Sequence, residues 1–259
     1  MRGAPSRGGR APNSPNMSNL HPRLSLVIPA FNEATRAIRT LETTTAYFAA
    51  QPYAAEIIVV DDGSTDGTAG AVRTRFPAVL VIESPGGNRG KGHAMRLGAA
   101  RSAGETVLVY DADGSTPIDE IEKLWPAFAR GAEVVIGSRA APGAQVNPPQ
   151  PKYRRIMGRV YNLLLRGLGL TEFRDTQCGF KAFTAHARDI IFPRLTIDGF
   201  GSDCEMLVVA RLNGLRAEEI PIRWINSTDT RVRAVRHSLA MIREVLIIRL
   251  RAWTGAYTK

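Results

Sequence analysis

Uninterrupted apolar runs alternate with amphipathic segments along the first half of the chain. The runs typical of buried strands occupy residues 24–29, 56–60, 78–82, 106–110 and 133–136. Apolar residues at helical spacing predict helices over residues 33–49, 68–76, 91–102 and 118–129. Strands that are apolar throughout, rather than on alternate positions, are typical of a parallel sheet covered on both faces. We therefore predict an α/β fold with a mostly parallel central sheet and helices on both of its faces.

The second half of the chain is less regular. Residues 140–152 contain four prolines and no periodicity, and their length favours a functional loop over a plain connection. Residues 174–181 are polar and predict a loop leading into a strand, and residues 216–224 predict a single strand or a strand pair. Helices are predicted over residues 153–168, 203–213 and 234–253.

Composition separates a short tail from this domain. Residues 1–22 are rich in proline, glycine, serine and asparagine, carry three arginines, and contain no acidic residue. We predict a disordered basic tail there and a single domain over residues 23–259. No apolar segment follows the arginines, which argues against a secretory signal. The chain also has no apolar run of about 18 residues, the length that predicts a membrane-spanning helix.

The chain is strongly basic, with 34 Lys and Arg residues against 24 Asp and Glu residues and a formal charge of +10. Such an excess predicts an anionic partner, whether phosphate groups, nucleic acid or an acidic membrane surface. Cys178 and Cys204 are too few for a disulfide scaffold. A single disulfide remains an alternative, and a reducing compartment is favoured.

Polar clusters follow the predicted strands at the end where parallel sheets bind ligands. The sharpest is Asp111-Ala112-Asp113, because two carboxylates directly after an apolar strand can hold Mg²⁺ or Mn²⁺ together with substrate phosphates. The plain alternative is a turn, since Asp113 begins the turn-forming segment DGSTP. A second cluster, Asp61-Asp62, follows another strand in the same way, which favours a site over coincidence.

Residues 85–92, PGGNRGKG, are similar to a phosphate-binding loop but lack its complete spacing. A flexible loop that starts a helix is an equal alternative. The four histidines show no metal-ligand spacing, and no G-x-S-x-G nucleophile motif is present.

Three segments together resemble the inverting family 2 glycosyltransferases of the GT-A (Rossmann-like) fold: VIPAFNE at 27–33, IVVDDGSTD at 58–66 and DAD at 111–113. Three later segments, GSR at 137–139, RDTQCGFK at 174–181 and DCE at 203–205, resemble dolichyl-phosphate β-glucosyltransferases and related polyprenyl-phosphate glycosyltransferases. The resemblance covers residues 24–257, nearly all of the predicted domain.

The resemblance implies a nucleotide-sugar site. The residues it places around the donor are Pro29, Asn32, Glu33, Asp61, Asp62, Lys91, Asp111, Ala112 and Asp113. Either Asp61 or Asp62 would hold the base or ribose, and Lys91 would lie near the nucleotide. Asp111 and Asp113 would bind the ribose and a Mg²⁺ or Mn²⁺ ion on the diphosphate. That ion would neutralise charge on the departing nucleoside diphosphate.

The acceptor side can be argued from chemistry. A lipid monophosphate, with a second pKa of about 6, is already largely anionic at neutral pH, so it needs cations more than a base. The candidate acceptor-binding residues are Arg139, Arg154, Arg155, Arg174 and Lys181. An alcohol acceptor would need a general base, and the candidates are Asp175 and Asp203. Arg139 is the third residue predicted at the catalytic centre. The alternatives are that Asp175 orients the phosphate or pairs with an arginine, and that these arginines form only a solvated face.

Residues 231–259 are predicted to form a basic amphipathic C-terminal helix. Six arginines and one acidic residue lie between residues 231 and 251, with apolar residues at helical spacing. Such a helix suits an anionic membrane surface, which predicts a cytoplasmic protein held peripherally at the inner face of the membrane. A core-packed helix with arginines reaching outward is the alternative.

The resemblance, taken with these observations, implies a metal-dependent inverting glycosyltransferase that moves a hexose, with glucose favoured, from a UDP-sugar to a polyprenyl or dolichyl phosphate. Within the same class, a soluble or polysaccharide acceptor is the alternative. A basic nucleic-acid-binding protein is the alternative from another class, but aromatic residues are only 7% and no nucleic-acid partner is expected. A third alternative is a nucleotidyltransferase, which would also use carboxylates at the strand ends and a metal. It would be distinguished from a glycosyltransferase by its release of pyrophosphate.

Overall fold

The computed structural model describes residues 22–149, 151–225 and 234–258. The side chains of Lys152, Arg154 and residues 234–239 are not described. The predicted tail falls outside these ranges except for Pro22, as does the start of the predicted C-terminal helix. Within these ranges, no helix has the length and apolar character needed to cross a membrane.

The predicted alternation of strands and helices is confirmed. The strands are β1 (Leu24–Ala30), β2 (Ala55–Asp61), β3 (Leu80–Glu83), β4 (Thr106–Tyr110), β5 (Val134–Ser138), β6 (Gln145–Asn147), β7 (Phe180–Thr184), β8 (Ala217–Pro221) and β9 (Arg223–Ile225). The helices are α1 (Ala34–Ala49), α2 (Thr68–Arg75), α3 (Lys91–Arg101), α4 (Leu124–Ala129), α5 (Lys152–Gly167), α6 (Ala185–Ile191), α7 (Ser202–Leu212) and α8 (Ala234–Trp253). Short 3₁₀ helices cover Ile118–Lys123 and Phe192–Arg194.

The main sheet has seven strands in the order β3-β2-β1-β4-β7-β5-β8. Only β7 runs against its neighbours β4 and β5, so the sheet is mostly parallel, as predicted. The strand order reverses at β1, which has β2 on one side and β4 on the other. Ligands in such sheets bind beyond the carboxyl ends of the strands at this switch point. A second, two-stranded sheet pairs β6 with β9 in parallel.

Both faces of the sheet are buried at β1, β4 and β5, which explains why these strands are largely apolar. On β1, Leu26 and Ile28 belong to one core cluster, whereas Val27 between them belongs to another. All three side chains are fully buried, and burying each contributes roughly 1.5–3 kcal/mol. Cys178 and Cys204 are both buried and unpaired, so the structure contains no disulfide between them.

The elements differ from prediction in four places. The predicted loop 140–152 contains the short strand β6, and residues 118–129 split into a 3₁₀ helix followed by α4. Residues 216–224 form two strands, β8 and β9, that lie in different sheets. Helix α6 was not predicted, because its seven residues are too few to show helical periodicity. Its start is marked by Thr184, whose hydroxyl accepts a hydrogen bond from the Ala187 amide.

Candidate active site

At the switch point, hydrogen bonds connect the loop after β1 to the loop after β2. Asn32 has a positive φ of 55°, and its amide donates to the Ser64 hydroxyl at 2.8 Å. Its side-chain oxygen accepts from the Thr65 amide at 2.8 Å. Pro29, near the end of β1, is in register with Val60 of β2. The motif residues of the two strands therefore form one rigid edge.

The start of α1 is held by the same loop. The Glu33 amide donates to the Thr68 hydroxyl at 3.0 Å, and the Ala34 amide donates to the Asp66 carboxylate at 3.2 Å. The carboxylate of Glu33 forms an ion pair with Arg36, one turn along the helix. These contacts place Glu33 at the rim of the switch point with its charge already balanced.

The structure separates the two neighbouring carboxylates Asp61 and Asp62. Asp61 accepts hydrogen bonds on both oxygens, from the amides of Ser64 at 2.8 Å and Ala69 at 3.2 Å. Asp62 uses only Oδ2, which accepts from the amides of Gly90 at 2.6 Å and Arg89 at 3.1 Å. Its Oδ1 is buried without a hydrogen-bond partner among the described residues. Asp62 is therefore the one of the pair with a carboxylate oxygen that has no hydrogen-bond partner within the described ranges.

The glycine-rich segment starts a helix, which was one of the two alternatives from sequence. Its amides at Arg89 and Gly90 are taken by Asp62, and α3 begins at the next residue, Lys91. The segment is thus held against Asp62 by two hydrogen bonds, and it places Lys91, the first residue of α3, at the switch point.

Asp111 and Asp113 lie directly beyond β4. Asp113 accepts from the Ser115 amide at 2.9 Å, and the Ala112 carbonyl between the two aspartates accepts from the Thr40 hydroxyl at 2.9 Å. Burial, followed by the nearby Asp111 carboxylate, raises the pKa of Asp113 above its usual range. A divalent cation would relieve this crowding of negative charge.

These carboxylates fit a metal that arrives with its substrate. The described part of the chain has no group of three or more His, Cys, Asp or Glu residues that could hold an ion. Mg²⁺ commonly binds through one or two carboxylates plus substrate phosphates and water. Asp111 and Asp113 supply that number of protein ligands.

Lys91 faces Asp111 across the switch point. Its ammonium nitrogen lies 2.9 Å from Oδ1 of Asp111 and 3.1 Å from Oδ2 of Asp203. Burial alone would lower the pKa of Lys91, but the two carboxylates outweigh burial and raise that pKa. The site therefore carries a firmly protonated cation next to the candidate metal ligands.

Arg139 and Asp175 form one unit at the end of β5. The guanidinium of Arg139 donates to both oxygens of Asp175, at 2.7 and 2.9 Å, and its backbone amide donates at 3.0 Å. The guanidinium also lies 4.8 Å from the ring centre of Trp224. Burial alone would raise the pKa of the Asp175 carboxyl, but Arg139 outweighs burial and holds that pKa below its usual range. Pairing with an arginine was one of the alternatives from sequence.

The remaining acceptor candidates are in different environments. Arg155 and Arg174 are exposed, whereas the side chain of Arg154 lies outside the described residues. Lys181 is fully buried, and its ammonium donates to Asp203 and to the Cys178 carbonyl. The structure therefore does not bring Lys181 to the surface of the site with the arginines, because β7 is an interior strand. The acceptor roles of the arginines stay predictions, whereas the burial of Lys181 corrects its predicted place at the acceptor surface.

Sequence reasoning missed two residues that shape the site. Glu219 on β8 accepts from the backbone amides of Arg174 and Asp175 at 3.0 Å each, which fixes the loop carrying Asp175. Gly179 lies against Asp111, and a Cβ atom at position 179 would be 1.9 Å from Oδ2 of Asp111. The only sequence signal for Gly179 was its place inside the segment RDTQCGFK.

Comparison with known families now defines the class of protein. The model of the family described as Glycosyl transferase family 2 matches residues 25–190. The chain therefore belongs to glycosyl transferase family 2.

Similar relatives and structures agree with this assignment. The human dolichyl-phosphate beta-glucosyltransferase is 30% identical over 259 residues, covering 91% of this chain and 77% of the relative. The Saccharomyces cerevisiae protein of the same name is 32% identical over 256 residues, covering 90% and 76%. Glucosyl-3-phosphoglycerate synthase from Mycobacterium tuberculosis, solved with Mn²⁺ and UDP-glucose, shares the GT-A fold at 20% identity. It superimposes with a TM-score of 0.65 over 89% of this chain and 79% of that one.

Proposed function

We propose that this glycosyltransferase moves glucose from UDP-glucose to a polyprenyl or dolichyl phosphate, with Mg²⁺ or Mn²⁺ on the donor diphosphate. A phosphate oxygen of the lipid forms a bond to the anomeric carbon of the sugar. The bond from that carbon to the UDP oxygen breaks, and UDP leaves with the electron pair. A single displacement inverts the configuration of the anomeric carbon. The names of the human and yeast relatives support both the sugar and the acceptor.

The observation that carries the donor assignment is the grouping of Lys91, Asp111 and Asp113 at the switch point. Asp111 and Asp113 would hold the metal ion, which when bound neutralises charge building on the departing diphosphate. Lys91 supplies a further cation beside them. Asp62 has a buried oxygen without a hydrogen-bond partner among the described residues, and we assign it to the nucleoside as the group that would satisfy that oxygen. The Mycobacterium tuberculosis structure, which contains UDP-glucose and Mn²⁺, supports the choice of a nucleotide-sugar donor with a divalent metal.

The state of the two candidate bases favours a phosphate acceptor over an alcohol. Asp175 is held by Arg139, and Asp203 is held by Lys91 and Lys181. For each carboxyl, burial is outweighed by its cations and the pKa is lowered, so both are poor proton acceptors. A phosphate monoester is already ionised and needs no base. Arg155 and Arg174, which are exposed, are the cations available to attract it.

Transfer to lipid is the direct test. We expect purified protein with Mg²⁺ and UDP-glucose to convert polyprenyl phosphate, but not the matching polyprenol, to a glucosylated lipid. The product is followed by mass spectrometry of the lipid extract against a panel of nucleotide sugars. Glucose transfer to 3-phosphoglycerate without transfer to lipid would establish the soluble-acceptor alternative. Release of pyrophosphate would instead indicate a nucleotidyltransferase, and failure to bind any nucleotide sugar would overturn the donor assignment.

We further propose that the protein docks peripherally on an anionic membrane, at the cytoplasmic face, through α5 and α8. The two helices contribute Leu165 and Val245 to one buried cluster, and each leaves apolar residues outside it. The apolar stripe of α5 consists of Tyr153, Ile156, Val160, Leu163 and Leu164. That of α8 consists of Ile242, Leu246, Leu250 and Trp253.

The charges near these stripes favour an anionic bilayer as the occupant. Leu163 is 69% exposed and Trp253 is 79% exposed, so both are available to enter an interface. Exposed arginines accompany each stripe, Arg155 and Arg159 on α5 and Arg249 on α8. Apolar side chains with neighbouring cations are the combination that binds anionic headgroups.

Vesicle sedimentation tests this docking. We expect the protein to bind vesicles containing phosphatidylserine and to bind neutral phosphatidylcholine vesicles weakly, because the arginines need anionic headgroups. The double variant Val160→Asp/Leu163→Asp should lose most of this binding. Leu80→Asp, which changes an exposed apolar residue on the edge strand β3, is the matched control and should bind normally. If the double variant binds vesicles normally, or only turns a dimer into monomers in sedimentation velocity, the stripe of α5 is not the docking surface.

A further inference from the structure

Four charged side chains form a line from the interior of the sheet to the switch point. Lys181 donates to Asp203, Asp203 accepts from Lys91 at 3.1 Å, and Lys91 lies 2.9 Å from Asp111. The signs alternate along this line, with two cations and two anions. We call this set the charge line: Lys181, Asp203, Lys91 and Asp111.

The inner half of the charge line is cut off from solvent. Lys181 lies on β7, where it is in register with Val109 of β4 and Ile136 of β5. It is fully buried, and so is Asp203 on α7. A buried charge is expensive unless it is paired, so Lys181 and Asp203 require each other. At the outer end, the Asp111 side chain is 30% exposed and can meet a ligand.

Lys181 affects the position of the Lys91 ammonium between Asp203 and Asp111. Asp203 accepts from both ammonium groups, and each lowers the pKa of that carboxyl. Without Lys181, the buried charge of Asp203 would be left to Lys91 alone. Lys91 would then be drawn inward, away from Asp111. With Lys181 in place, Asp203 is neutralised from within the core and Lys91 keeps positive charge for the switch point.

We propose that Lys181 is a positioning residue: by neutralising Asp203 it leaves the Lys91 ammonium where it meets Asp111 and the diphosphate of the donor. That the bound anion is the diphosphate of the donor rests on the proposed function. The placement of Lys91 against Asp111 does not. The segment RDTQCGFK thus acts on the donor side of the site. Its Lys181 fixes Lys91 through Asp203, and its Gly179 leaves room for the Asp111 carboxylate.

The test removes the inner cation. We expect Lys181→Met to weaken binding of UDP in metal-free buffer about tenfold or more, as loss of a supporting partner commonly does. Calorimetry below the thermal midpoint measures this affinity on folded protein. Lys181→Gln, which keeps a hydrogen-bond donor but removes the charge, should shift the affinity in the same direction if the methionine variant does not fold. The double variant Lys181→Met/Asp203→Asn should recover the affinity, since no buried carboxylate remains to draw Lys91 inward.

Val209→Ala on α7 is the matched control. Val209 is fully buried on the helix that carries Asp203 but is not part of the charge line. It should lower the thermal midpoint without changing the affinity for UDP. A purely structural role for Lys181 predicts the same behaviour for both variants, and that result would overturn the proposal.

A crystal structure of Lys181→Met, or of Lys181→Gln if the first does not fold, separates this proposal from the donor assignment. We expect the 2.9 Å contact between Lys91 and Asp111 to be lost in the variant. Retention of that contact overturns the positioning role whatever the donor is. Loss of the contact in a protein whose parent form binds no nucleoside diphosphate supports the positioning role and refutes the donor.

Discussion

Asp113→Ala is expected to reduce sugar transfer about 100-fold or more, because a metal ion on the leaving group supplies several kcal/mol of charge stabilisation. The protein should remain folded. The hydrogen bond from the Ser115 amide is lost, at a cost of about 1 kcal/mol, but the repulsion between Asp113 and Asp111 is relieved as well. Two measurements check this: lipid-extractable glucose at saturating Mg²⁺, and the affinity for UDP with and without the metal. Mg²⁺ should strengthen UDP binding in the parent protein and have little effect in the variant.

Asp119→Ala is the matched control for this prediction. Asp119 is an exposed carboxylate on the 3₁₀ helix that follows the site, where it forms an ion pair with Arg223. Its removal should leave both transfer and the effect of Mg²⁺ unchanged. If Asp113→Ala transfers glucose at the parent rate, Asp113 does not hold the metal and the site has been assigned incorrectly.

Gly179→Ala is expected to reduce transfer about 100-fold through a single added methyl group. That methyl group would lie 1.9 Å from Oδ2 and 2.1 Å from Cγ of Asp111, so the carboxylate must move. A displacement of about 1 Å at a reacting centre commonly lowers the rate by about two orders of magnitude. The rate of glucosyl transfer, together with the affinity for UDP in the presence of Mg²⁺, measures the effect.

A double-mutant cycle identifies the cause. If Gly179→Ala acts through Asp111, the double variant Gly179→Ala/Asp111→Asn should be no slower than Asp111→Asn alone. Gly70→Ala in α2 is the control, because a Cβ atom there has no neighbour within 4 Å. Additive losses in the cycle would show that Gly179 affects the site by another route.

The parallel half of the fold could be predicted because the burial of each strand is visible in its own short stretch of sequence. The strands β1, β2, β4 and β5 are largely buried and therefore largely apolar, whereas the edge strand β3 is more exposed. The first polar residues after such a strand necessarily lie at the ligand-binding edge. This is why Asn32, Asp61 and Asp111 could be placed together before the structure was known.

The charge of Lys181 could not be interpreted in this way. Lys181 ends a segment that begins with the polar residues 174–177, which predicted a cation at the acceptor surface, but β7 lies between β4 and β5 in the sheet interior. The partner that permits this burial, Asp203, is 22 residues further along the chain. The room made by Gly179 for Asp111 likewise arises only when β4 and β7 pair. Pairings between distant segments leave no local pattern in the sequence. The segment that contains Lys181 and Gly179 could therefore be singled out from the sequence, but the contacts of these two residues could not.

The reversed direction of β7 also gives the chain one long excursion that begins and ends at the same end of the sheet. Because β5 and β7 are antiparallel neighbours, residues 139–179 leave the sheet and return to it at the same edge. This excursion carries β6, α5 and the loop with Asp175. Val146 of β6 packs against one core cluster, and Leu165 of α5 belongs to another. The length and sequence of the excursion can vary at modest entropic expense without rethreading the strands. Evolution, or a protein engineer, can therefore vary residues 140–173, which leaves Gly179 and its contact with Asp111 in place, and so give one nucleotide-binding frame different acceptors.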